Sequence, residues 1–507
     1  MGKNIFGKVD TWLAVWFVGY IYNTFAVSHT PCSHVFLYTC GWATLYILLR
    51  CLPIERINKP HWAYACAVLG VWQVAVGLGQ LSGIYSSGHH LYAVTGMFFN
   101  PAPYGAFIAV MLAVVVAAYK EHPSQILGIA AIGMTIMLPA AWSRAALLAF
   151  AVSFGIIYRT WVRYHWRKIV IFAFVTLIIL YFLKRGSADS RMLMILISVR
   201  TWANHLWVGV GTGSYLQALG EGMATYFTSH PDSAFITSVG VADRPFNEPL
   251  RMAVEQGLAG LVPFTIAVVL TARRLWIAGS PLFYALVTLL VFSMFSYPFT
   301  IPIFCGILCI ILAYAANLGK QYLFRPMVIC PFMVVGISCA FIYVQLLPRV
   351  DAKKDYDRFS QIHDETFIKD YYELFPLLND NPQFLFDFGS LLRDCGRYND
   401  SNAILRQGAS ISADPIFHIL MGRNYEDMRV YEKADSLYDH AFRMVPNRIY
   451  PLYRKMKLYE AMGDITRCKV MACQVWNFRV KVESPATRDM KKEAKEIKQK
   501  KAILPNN

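Results

Sequence analysis

Charged side chains are what this sequence has least of for its size. They make up 16% of 507 residues, where a soluble chain of this length carries about 25%. The shortfall lies before residue 347, which excludes an ordinary soluble fold for that part of the chain. The eleven cysteines show no metal-ligand spacing; most fall in apolar segments (Cys40, Cys66, Cys305, Cys309, Cys330, Cys339) and read as small packing residues. Cys468 and Cys473 are too awkwardly spaced along one helix for a disulfide framework. No small-residue cleavage site follows the first apolar segment, so no cleavable signal is expected. A carboxylate cluster suited to a divalent metal is also missing, and neither a metal nor another cofactor is expected.

What the chain has instead is apolar length. Hydrophobic residues make up 56% and aromatics 15%, and the mean hydropathy is +0.39. Runs near 20 residues recur, each long enough to cross roughly 30 Å of hydrocarbon at about 1.5 Å per residue. They predict about eleven membrane spans, all helical because the backbone must satisfy its own hydrogen bonds in lipid. The expected spans are 11–28, 34–52, 62–80, 100–118, 125–141, 145–158, 169–184, 249–271, 281–297, 300–317 and 327–347. The ninth and tenth meet at Ser296-Tyr297-Pro298-Phe299 and could form a re-entrant pair. The expected fold class is all-α: a polytopic helical membrane domain over residues 1–347, with a polar helical region behind it.

The net charge of +16 points to nucleic acid only if its distribution is ignored. With the N-terminus inside, the inner side collects Lys3, Lys8, Arg50, Arg56, Lys59, Lys120, Arg159, Arg163, Arg167, Lys168, Arg273, Arg274, Lys320 and Arg325. The short outer loops hold a single basic residue, Arg144. That asymmetry puts the N-terminus in the cytoplasm, and the loop 185–248 and everything after 348 outside. Arg144 follows Ala141-Trp142-Ser143 at the outer boundary, where a snorkelling arginine beside a belt tryptophan is the plain reading. Boundary charges are also functional candidates. His89-His90, on another outer loop, point apart on most backbones and suit a cleft wall better than a metal.

Residues 348–485 carry a helical repeat. Gly396-Arg397-Tyr398 precedes Pro415; Arg429-Val430-Tyr431 precedes Ala441 and Pro446; Met462-Gly463-Asp464 opens a third unit. Tyr398 and Tyr431 are about 33 residues apart, close to the tetratricopeptide period of an α-solenoid, which usually serves a protein partner. Residues 486–507 form a basic tail, a solvated charge run or a weak attraction for membrane lipids.

The outer loop holds the chemistry. Arg191 and Arg200 lie nine positions apart, on opposite sides of a helix, and do not share one ligand. Gly209-Val210-Gly211-Thr212-Gly213 lacks the strand and acidic partner of a nucleotide loop, and reads as a tight turn. Asn247, Glu248 and Pro249 form a helix start, with Asn247 or Glu248 as cap and the acid near the positive dipole end. Arg244 and Arg251 are not explained by that. With Arg144 and Arg191 they make a set of arginines at the outer face, and guanidinium groups grip phosphate oxygens bidentately. A lipid diphosphate is the natural ligand.

These residues resemble the O-antigen ligase and polymerase family. Asn247 is followed after nine residues by Gly257-Leu258-Ala259-Gly260, similar to the ligase pattern of His-Asn, nine residues, Gly-x-x-Gly. Arg191, then Asn204-His205-Leu206 and Gly209-Val210-Gly211, resemble the family's Arg, Asp-His-Pro and Gly-Val-Gly. Thr95-Gly96-Met97-Phe98-Phe99-Asn100-Pro101 is similar to its Thr-Gly-x-x-x-Asn-Pro, and Ser143-Arg144 to its outer-turn Ser-Arg. The resemblance implies a GT-C-like, metal-independent, inverting glycosyltransferase in a bacterial inner membrane, with its C-terminal region periplasmic. It would transfer a glycan from an undecaprenyl-diphosphate carrier to lipid A–core, to another glycan (a polymerase) or to a protein (an O-oligosaccharyltransferase). Arg144, Arg191, Arg244 and Arg251 are then expected to bind the diphosphate. The family histidine before Asn247 is Phe246 here, which leaves His230 and Glu248 as candidate bases beside Asn247. A transporter or flippase would need charges lining a mid-membrane path, and this chain keeps its charges at the outer face. A scaffold displaying repeats leaves the spans unexplained.

Overall fold

Short polar residues and prolines start the helices that matter most here. Asn100 accepts a hydrogen bond from the Ala102 amide at 3.0 Å, Ser143 from Ala146 at 3.3 Å, and Asn247 from Leu250 at 2.9 Å. Proline sits at the first or second position after Asn100 and Asn247, where its missing N–H had no intrahelical partner. The computed structural model describes residues 7–28, 33–168, 171, 185–241, 244–318, 325–362, 364–480 and 483–499, which are helical with no strand among them. They divide into two units: Met1–Asn23, Val35–Leu180 and Pro245–Tyr343; and Thr24–His34, Tyr181–Arg244 and Val344–Asn507.

In chain order the first helices are α1 (Lys8–Ala26), α2 (His34–Cys51), α3 (Lys59–Leu81), α4 (Pro101–Glu121), α5 (Gln125–Ala140), α6 (Arg144–Ile157) and α7 (Arg159–Lys168). After α8 (Arg185–Asn204) and α9 (Tyr215–Ser229) of the second unit come α10 (Glu248–Ile277), α11 (Leu282–Ser293) and α12 (Pro302–Asn317). The first unit is built around α4. Tyr104, Ala106, Ile108, Val110, Leu112 and Val114 are each 0% exposed. Those positions go right round the helix, the signature of a helix enclosed on every face. It packs on α3, α5, α6 and α11.

Three described helices are long and apolar enough to cross a membrane, namely α3, α4 and α10. The pair α6 and α7, bent by 117°, adds a fourth if it is one span. The apolar helices α5, α11 and α12 are shorter. Expected spans also fall on α1 and α2, which have the length but carry Asp10, Asn23 and Arg50 among tyrosines and tryptophans. The expected span 169–184 lies outside the described residues except for Ile171. The last one, 327–347, falls on α13 (Arg325–Phe359).

Those polar residues are used. Asp10 receives Arg50 Nε at 3.0 Å and Nη2 at 3.1 Å, Tyr46 Oη at 2.6 Å and the Gly7 amide at 2.8 Å. Arg50 Nη1 also donates to Asn317 Oδ1, whose amide group bonds the Leu52 carbonyl at 2.9 Å. One buried ion pair thereby fastens α1, α2 and α12 together, with its lone pairs satisfied as a buried charge requires.

The second unit holds α8, α9 and α14 (Ile368–Leu378), α15 (Pro382–Asp394), α16 (Tyr398–Ala409), α17 (Ile416–Asp427), α18 (Tyr431–Met444), α19 (Tyr450–Ala461), α20 (Ile465–Asn477) and α21 (Pro485–Gln499). Helices pair as α15 with α16, α17 with α18 and α19 with α20. Each pair turns through a residue of positive φ: Gly396 at 74°, Arg429 at 63° and Gly463 at 72°. Helix α9 packs on α18, and the Asn447 side chain donates to the Val239 carbonyl at 2.6 Å. Segment 181–244 therefore shares a unit with the C-terminal helices.

Candidate functional site

The head of α10 gathers the most unusual chemistry in the first unit. Its cap, Asn247, fixes the first turn. Arg251 Nε then reaches back to Glu248 Oε2 at 2.8 Å, and Nη1 reaches on to Glu255 Oε2 at 3.3 Å. The two carboxylate side chains are 2% and 3% exposed and the guanidinium 22%. Spacings of three and four residues put all three on one helix face. The second Glu248 oxygen, Oε1, is buried and has no hydrogen-bond partner. A buried carboxylate oxygen in that state is costly and keeps its lone pairs for a hydrogen-bond donor.

Two residues beyond Glu255 the helix breaks. Gly257 has φ 60° and ψ −158°, a region that essentially only glycine enters. Helix α1 meets the break through one main-chain and one side-chain acceptor. Asn23 Nδ2 donates to the Glu255 carbonyl at 3.1 Å, and Trp16 Nε1 donates to Gln256 Oε1, also at 3.1 Å. Before the cap, Phe246 presents its ring edge-on to Tyr297, with centroids 5.6 Å apart and planes at 73°. An aromatic contact with the core thus occupies the position just ahead of Asn247.

The loop between α3 and α4 is held by two buried glutamines of α3. Gln80 Oε1 accepts the amides of Thr95 at 2.9 Å and Gly96 at 2.8 Å, while its Nε2 donates to the Gly96 carbonyl at 2.9 Å. Gln73 Oε1 accepts from Met97 at 3.3 Å. The segment Thr95–Pro101 is therefore a rigid approach to α4. Arg144, half-buried, is the first residue of α6 behind the Ser143 cap.

Of the residues singled out in the sequence, Asn247, Glu248 and Arg251 lie together on one face, and Arg144 belongs to the same unit. Arg191, His230 and Arg244 belong to the other unit. Arg191 is half-buried on α8. His230 caps the C-terminal end of α9; its ring stacks on Tyr226 at 4.6 Å and its Nδ1 lies 3.1 Å from the Tyr226 carbonyl. Arg244 is a half-buried loop residue. In Gly209–Gly213, all three glycines have positive φ, and Ser28 Oγ donates to the Thr212 carbonyl at 2.7 Å, which is tight-turn geometry.

Comparison with known protein families finds no match, and comparison with curated proteins finds none. Sequence reasoning missed Glu255, Gln256, Gln73 and Gln80. The first could have been found from its spacing of four to Arg251 on a helix. The glutamines carried no local signal beyond being polar inside apolar runs.

Proposed function

We propose that this chain is a polytopic membrane glycosyltransferase of the O-antigen ligase type. It has about eleven spans, an outward-facing loop over residues 185–248 and a tetratricopeptide-like solenoid outside the membrane. The observation that carries the reading is the head of α10. A buried carboxylate, Glu248, has one oxygen on a guanidinium and the other without a partner. An acceptor hydroxyl approaching Glu248 Oε1 gives up its proton there as its oxygen attacks the anomeric carbon with inversion. The bond to the lipid diphosphate breaks, and the departing charge is met by guanidinium groups.

Arg251 bonds both carboxylates through Nε and Nη1 and brings its charge to the departing diphosphate, with Arg144 a second cation of the same unit. The diphosphate role of Arg191 and Arg244 rests on the sequence pattern alone. Phe246, set against Tyr297, has no proton to move, so Glu248 takes the place that a histidine has in the family the sequence resembles.

The test is the surface glycan of a strain lacking the chain and complemented with wild type or Arg191→Ala. Wild type restores the glycan and Arg191→Ala does not, at equal protein level. Loss of long chains from lipid A–core, shortened chains or unglycosylated proteins in the deletion strain identifies the acceptor. A normal glycan profile in that strain would refute the proposal.

A further inference from the structure

The second unit contains a group of side chains with no part in the proposed transfer. Glu221 on α9, His418 on α17 and His440 on α18 each offer one ligand atom, and those atoms lie within 4.8 Å of one another. His440 Nε2 and Glu221 Oε1 are 3.2 Å apart. The imidazole rings of His418 and His440 sit 4.6 Å apart at 59°. His418 Nδ1 is buried and has no hydrogen-bond partner.

We infer that Glu221, His418 and His440 form a binding site for a divalent transition metal, zinc foremost, that clamps α9 to the α17–α18 helix pair. The chemistry of the donors is the first argument. Two imidazoles and one carboxylate are a recurrent zinc set, usually with an open fourth position for water. Distance is the second. Zinc bonds of about 2.0–2.2 Å at tetrahedral angles place donor atoms about 3.4 Å apart. The Glu221–His440 pair is already at that separation, and the remainder closes by side-chain rotation.

A plain ion pair accounts for Glu221 and His440 but not for the third member. It leaves His418 packed against a second imidazole with Nδ1 unsatisfied, an arrangement costly without a ligand. A cation shared by the three gives the two imidazoles and the carboxylate a common partner. Access is available, since the side chains of Glu221 and His440 are 45% and 30% exposed. The three helices also meet without the metal. At Gly220, beside Glu221, an added Cβ would stand 2.8 Å from Met444 Cε and 3.2 Å from Ala413 Cα, so the backbone of α9 is closely applied there. The metal would therefore tighten a contact that exists already, and would anchor the segment 181–244 to the C-terminal helices.

The experiment uses untagged full-length protein in detergent, stripped with EDTA and titrated with Zn²⁺ and Co²⁺. The inference expects one equivalent of zinc per chain, retained through dialysis. It also expects visible d–d absorption from Co²⁺ and a melting temperature raised by zinc. His418→Ala and Glu221→Gln should weaken binding by at least about 100-fold, the upper end of what losing a supporting group costs. Both should melt like wild type in EDTA, which separates ligand loss from misfolding. Failure to bind either ion below about 1 mM overturns the inference. So does binding that survives both substitutions, which would mark adventitious metal elsewhere on the chain.

Discussion

Replacing Arg251 by alanine exposes how the head of α10 is balanced. The guanidinium answers two carboxylates whose side chains are 2% and 3% exposed. Removing the cation leaves both without it in a low-dielectric setting. Breaking a buried pair from one side costs about 3–5 kcal/mol, and the partial exposure of Arg251, 22%, argues for the middle of that range. At about 2–4 °C per kcal/mol for a unit of this size, Arg251→Ala should melt roughly 8–16 °C lower in detergent. The double variant Arg251→Ala/Glu255→Gln also removes one of the two buried carboxylate charges and should recover part of the loss, a coupling of about 0.5–3 kcal/mol. Arg251→Lys, which keeps the charge without the fork, should fall between. A single variant that melts like wild type, or a double variant no better than the single, would refute the ion-network account.

Two further substitutions test the backbone. Gly257→Ala forces a Cβ onto φ 60°, ψ −158° and should destabilise by about 1–3 kcal/mol, read as a lower melting temperature. Gly133→Ala in α5, where the new Cβ meets only Val74 at 3.7 Å, is the contrasting control and should leave the melting temperature unchanged or raise it, by up to about 1 kcal/mol of helix propensity. Arg429 is exposed and holds φ 63° where the sister turns use Gly396 and Gly463. Arg429→Gly should therefore raise the melting temperature by a degree or more, relieving about 1–2 kcal/mol of strain against an unfolded-state cost of about 0.4–1 kcal/mol.

Signals carried by neighbouring residues are legible in this sequence, and those that depend on distant residues are not. Asn247 before Pro249 announces a helix start because a cap and its partner amide are three residues apart. The turns at Gly396 and Gly463 announce helix pairs for the same local reason. Gly257 gave no such signal, since a glycine within an apolar helix looks the same whether the helix runs on or breaks. What holds that break, Trp16 on Gln256, spans 240 positions, and Glu221 with His440 spans 219. Hydropathy reads the chain before residue 347 as a series of spans, and α3, α4 and α10 have the required length and composition. It could not show that Asp10 and Arg50 neutralise each other inside α1 and α2.

The central claim is that Glu248 takes the proton of the acceptor hydroxyl. Purified protein reconstituted with a lipid-diphosphate glycan and acceptor, compared as wild type and Glu248→Gln, tests it most directly. Glutamine keeps the size and a hydrogen bond but accepts no proton at neutral pH. Transfer should fall by about 10²–10⁴-fold with donor binding retained. Transfer at the wild-type rate by Glu248→Gln would contradict the account.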